Sequence, residues 1–104
     1  MAKNKYVIQY TDTFTYQFKN ILKYFIKKLQ NRIVAENFYN EVISKIEKRS
    51  EAPENYEKYR SSKKRKNTYY RIYVKNYTIF YVVKDNTMEI RKILYSKRNF
   101  KNLI

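Results

Sequence analysis

The chain has 104 residues with no cysteine, no histidine and no glycine, which excludes disulfide staples, thiolate or imidazole metal ligands and histidine acid–base chemistry. Its 24 basic and 9 acidic residues leave a formal charge of +15, which favours polyanionic partners such as nucleic acid, an acidic protein or an anionic surface. A chain of this length makes one domain, residues 1–104, with a single core stabilised by packing alone.

Met1–Asn4 lacks the apolar core of a signal peptide, and no run approaches the ~18 apolar residues of a membrane span, so a cytoplasmic protein without membrane contact is expected. The abundance of Lys, Asn, Ile, Tyr and Phe is also what AT-rich codon usage produces. The positions of the charges therefore carry more information than their number.

In chain order, Lys5-Tyr6-Val7-Ile8-Gln9-Tyr10 alternates like a short strand. Thr11-Asp12-Thr13 then offers helix N-caps, and Phe14, Phe18, Ile21, Leu22, Phe25, Ile26 and Leu29 recur at helical spacing. Gln30-Asn31 is a tight break. Ala35, Phe38, Val42 and Ile46, with Tyr39 and Ile43 beside them, continue the helical period to Arg49, so two antiparallel helices are expected. Residues 50–66 lose periodicity; Pro53 rules out a continuing helix, and Lys63-Lys64-Arg65-Lys66 has the composition of an exposed loop.

Three strands follow, Thr68–Val74, Tyr77–Lys84 and Met88–Tyr95, with Lys75-Asn76 and Asp85-Asn86 as two-residue turns in which asparagine would take the positive φ. The first turn sets Val74 opposite Tyr77, Ile72 opposite Ile79 and Tyr70 opposite Tyr81, on the face that should meet the helices. Arg71, Tyr73, Phe80 and Val82 fall on the other face. The register of the last strand stays open, because a one-residue shift exchanges Met88, Ile90 and Leu94 with Glu89, Arg91 and Ile93.

The charges are segregated. Residues 36–57 contain Glu36, Glu41, Glu47, Glu51, Glu54 and Glu57, whereas Lys58–Lys84 and Arg91–Ile104 contain cations and no acid. A basic C-terminal half interleaved with tyrosines can neutralise phosphates and stack bases, or it can grip an acidic protein.

Two segments, NYTIFYVV (76–83) and ILYSKRNF (93–100), resemble the patterns Asn/Asp-Tyr-x-Ile-x-Tyr and Ile-Leu-His-Gly-x-Arg-Asp, the second with Tyr95-Ser96 for His-Gly and Asn99 for Asp. With the order strand, helical hairpin, basic loop and three-stranded meander, the chain resembles the RelE/ParE superfamily of toxins from bacterial type II toxin–antitoxin modules. The resemblance implies an α+β fold of order β-α-α-β-β-β, with the helices on one face of a curved sheet. The other face would be a concave basic surface for the target, lined by Arg71 and Phe80.

The superfamily contains ribosome-dependent messenger RNases and gyrase inhibitors. The positions at which the RNase branch orients phosphate and moves protons fall on Tyr69, Arg71, Thr78, Arg98 and Ile104, of which only Arg71 and Arg98 are cationic; Tyr95 stands where many relatives have histidine. A catalytic set, for an RNase, would thus be Arg71, Arg98 and Tyr95. A target-binding set would be Arg71, Phe80, Arg91, Lys97 and Arg98 with Lys63, Lys64, Arg65 and Lys66. The helical hairpin, Pro53 and the Ile-Leu-Tyr-x-x-Arg-Asn ending are closer to the ParE-like branch. The expected protein is therefore a growth-inhibiting toxin that binds a machine such as DNA gyrase, without metal or cofactor. An acidic antitoxin encoded beside it would hold it inactive in a hetero-oligomer, or the toxin would dimerise. The alternatives are a ribosome-dependent mRNA endoribonuclease and a non-toxic basic nucleic-acid-binding protein.

Overall fold

The computed structural model describes residues 5–59 and 68–97. Strand β1 (Val7–Tyr10) leads into helices α1 (Asp12–Lys27) and α2 (Arg32–Arg49). Strands β2 (Lys58–Tyr59), β3 (Tyr69–Val74), β4 (Tyr77–Lys84) and β5 (Thr87–Tyr95) follow. The sheet order is β1-β5-β4-β3-β2, with β1 parallel to β5 and the other neighbours antiparallel. The expected β-α-α-β-β-β order holds, with one addition. Two residues of the segment read as irregular form β2, paired with Tyr69 and Tyr70, too short for any periodicity to announce.

Both helices start where the sequence supplies caps. The Thr11 hydroxyl accepts the Phe14 N–H at 3.1 Å, and the Asn31 side-chain oxygen accepts the Val34 N–H at 3.0 Å. Between the helices Gln30 takes a positive φ of 49°. The two hairpin turns are where expected, but the positive φ of 54° falls on Lys75 and Asp85, the first turn residues, rather than on the asparagines.

Phe14 and Phe18 of α1 and Phe38, Val42 and Ile46 of α2 pack on Tyr70, Ile72, Val74, Ile79, Tyr81, Met88, Ile90 and Ile93. Each large apolar side chain buried in this way contributes roughly 1.5–3 kcal/mol. The stripe on α1 stops short of its predicted end: the helix finishes at Lys27, and Ile26 and Leu29 are exposed. Where β1 ends, α1 takes over the edge of β5. Thr11 donates its N–H to the Ile90 carbonyl and its hydroxyl to the Arg91 carbonyl, and the Ile93 N–H donates to the Gln17 side chain at 2.9 Å.

The open register of β5 resolves into neither alternative. Tyr81 opposes Ile90 while Phe80 opposes Lys92, so Arg91 is an extra residue in a β-bulge. Before the bulge Met88 and Ile90 face the helices; after it Ile93 does. The physical reason is Lys92. An unbroken strand keeping Ile90 inward would turn Lys92 inward as well, an unpaired buried cation that the bulge avoids.

The second face is not the open hollow expected. Phe80 is 0% exposed and joins Tyr69, Val82 and Leu94 in a small core of its own, with Tyr59 packed against it. Phe80 is met edge-on by the Tyr59 ring, with centroids 5.4 Å apart, and by the Tyr69 ring, with centroids 6.3 Å apart. β2 is what brings Tyr59 there.

Candidate functional site

Of the residues proposed for target contact, Arg71, Arg91 and Lys97 lie among the described residues and outside the core; Lys63, Lys64, Arg65, Lys66 and Arg98 fall outside the described residues. Phe80 is corrected from a contact residue to a core residue, since no part of it reaches the surface. Alternation placed it on the right face but could not reveal its cover.

Arg71 is partly buried on the second face. Its guanidinium lies 5.1 Å from the Tyr59 ring centroid and 5.7 Å from that of Tyr73, and its Nε is buried without a hydrogen-bond partner among the described residues. Glu41 of α2 pairs with Lys45 at 3.6 Å and Lys75 at 3.8 Å. Arg71 is thus held by aromatic faces rather than a carboxylate.

Arg91 is differently placed. Its Nε meets Glu89 at 2.6 Å, and Nη1 donates to the Tyr69 hydroxyl at 3.3 Å. Burial works against its charge, but the hydrogen bonds to Tyr69 and Glu89 outweigh it and raise the guanidinium pKa. Its charge is matched internally, and it acts as a tie across the second core. Lys97 is exposed just past β5.

Of the catalytic set, the two described members, Arg71 and Tyr95, do not come together. Tyr95 pairs with Tyr77 on the helix-facing side, their rings 5.8 Å apart, and lines a cavity of about 640 Å³ with Tyr24, Phe25 and Phe38. Arg71 lies on the opposite face. The bulge at Arg91 is the cause, because an unbroken β5 would turn Tyr95 to the face that carries Arg71. Thr78 is fully buried, its hydroxyl 2.8 Å from that of Ser96, and is out of reach of a phosphate. Among the described residues no group of three or more acidic side chains could hold a metal ion. Tyr95→Phe is accordingly expected to leave growth arrest on induction unchanged within a factor of about two, measured as colony counts; a hundredfold relief would place Tyr95 in the chemistry.

Sequence reasoning missed Arg49. It ends α2, donates Nη1 to the Arg71 carbonyl at 2.8 Å and to the Tyr81 hydroxyl at 3.1 Å, and stacks 3.5 Å from the Tyr56 ring centroid. A signal was present: the residues three and four positions before it are Ile46 and Lys45, so it has no acid partner within its helix.

No helix among the described residues is long and apolar enough to cross a membrane. Residues 8–100 match the model of a protein family described as ParE toxin of type II toxin-antitoxin system, parDE. No curated protein matches the chain.

Proposed function

Because the chain belongs to the ParE toxin family, and is therefore a toxin of a type II toxin–antitoxin system with an antitoxin as partner, we propose that it arrests growth by binding a macromolecular machine, DNA gyrase in the first instance, rather than by cutting RNA. The observation that carries this reading is the separation of Arg71 and Tyr95 on opposite faces of the sheet. General acid–base catalysis needs its groups within hydrogen-bond reach of one reacting centre, and a sheet intervenes here. Binding needs only a shaped, charged surface. The +15 charge suits both a fast encounter with an acidic antitoxin and neutralisation by it.

The test is induction in cells together with a gyrase assay in vitro. Expected are relaxed plasmid DNA, an SOS response and inhibition of supercoiling by the purified toxin, each reversed by the antitoxin. Unchanged plasmid topology with transcripts cleaved on translating ribosomes would replace this reading with the RNase one.

A further inference from the structure

Arg71 aside, the edge of β3 carries an arrangement of residues outside the target-contact set. Between α2 and β3 runs a groove of about 320 Å³, lined by Lys45, Lys48, Arg49, Tyr56, Ile72 and Tyr73. Its floor is tied to the strand by cations: Arg49 donates to the Arg71 carbonyl and Lys45 to the Tyr73 carbonyl at 3.0 Å. Tyr56 is 48% and Tyr73 55% exposed, large values for rings packed beside guanidinium groups. Among the described residues neither Arg49 nor Arg71 makes a salt bridge, and Glu41, the acid paired with the groove's Lys45, is also engaged by Lys75.

Aromatic rings and cations therefore alternate around the strand edge. Tyr56 lies on Arg49, Arg49 reaches the Arg71 carbonyl, and the Arg71 guanidinium sits between Tyr59 and Tyr73. We propose that this edge is a binding path for single-stranded nucleic acid, with phosphates on Lys48, Arg49 and Arg71 and bases stacked on Tyr56 and Tyr73. An acidic polypeptide would use the cations but leave both ring surfaces wet. A nucleic-acid strand uses both, because every base has a flat face to stack and every linkage a charge to neutralise. The proposal is independent of which machine the toxin stops, so it and the gyrase reading can fail separately.

The experiment is fluorescence anisotropy of short labelled oligothymidylate and oligouridylate with the purified toxin across a salt series. The wild type is expected to bind with a log–log salt slope of about −0.7 per phosphate contact. Tyr56→Ala and Tyr73→Ala are each expected to weaken binding about tenfold, the loss of one stacked base. Lys48→Gln, an exposed change that leaves the fold intact, should make the slope shallower, whereas Lys23→Gln on the exposed side of α1 should not. Circular dichroism checks the folding of each variant. Equal binding by wild type and both tyrosine variants, equal effects of Lys48→Gln and Lys23→Gln, or tighter binding of polyglutamate than of either oligonucleotide would each overturn the proposal. A preference between the two oligonucleotides identifies the sugar.

Discussion

Phe80→Ala is expected to lower folding stability by about 3–5 kcal/mol, the cost of deleting a large side chain from a packed site. Phe80 is fully enclosed on the second face, and truncation strips Tyr59 and Tyr69 of the ring against which both pack. Because a domain of this size has roughly 5–15 kcal/mol in total, the change removes a large part of it. Urea unfolding measures the loss, with Arg71→Ala as a same-face comparison expected to shift by less than about 1 kcal/mol. The variant should also lose growth arrest, through lowered abundance rather than lost contact. A Phe80→Ala protein that unfolds at the wild-type urea midpoint would mean that the second face is open after all.

High pH is expected to destabilise the protein through its buried tyrosines. The Tyr81 hydroxyl donates to the Pro53 carbonyl at 2.7 Å, accepts from Arg49 and lies in a stacked pair with Tyr70. Burial pushes its pKa up to about 12, with Arg49 pulling partly the other way. The unfolded chain releases this proton near pH 10 while the folded chain keeps it, so the unfolded state binds fewer protons between those values and stability falls there as pH rises. The contribution is complete below about pH 10 and is lost on approaching pH 12, amounting to roughly 2–3 kcal/mol. Burial raises Tyr70, Tyr77 and Tyr10 as well, which steepens the fall. Denaturation midpoints from pH 8 to 11.5 check it. Tyr81→Phe should start from lower stability and decline less, and parallel curves for the two proteins would remove Tyr81 as the cause.

The helices and the β3–β4 hairpin were legible because their signals are local: side-chain caps, spacings of three and four, and a two-residue turn that fixes which residues face each other. Fold class followed from those signals and from the family resemblance together. The bulge in β5 was not legible, since it settles a competition between Lys92 and Ile93 for the helix-facing interior that depends on what lies across the sheet. Nor was the cover over Phe80. A period of two says which side a residue takes, and the cover comes from Tyr59, twenty-one positions earlier, through a strand of only two residues. Arg49 and Tyr56 escaped for a third reason. Each lies at the end of a pattern, and only the fold brings the end of α2 against the carbonyls of β3.

The pairing of β1 with β5 in parallel, Val7 beside Thr87 and Tyr10 beside Ile90, joins the first and last strands of the described fold. During synthesis the helical hairpin can coil as soon as it emerges, but its apolar stripe has no floor until the meander is finished, and β1 waits longer still. A chain that stops before β5 thus lacks the strand to which both β1 and β4 pair. The fold can close only once β5 has been made, and that delay gives a partner already present time to meet the toxin as it folds.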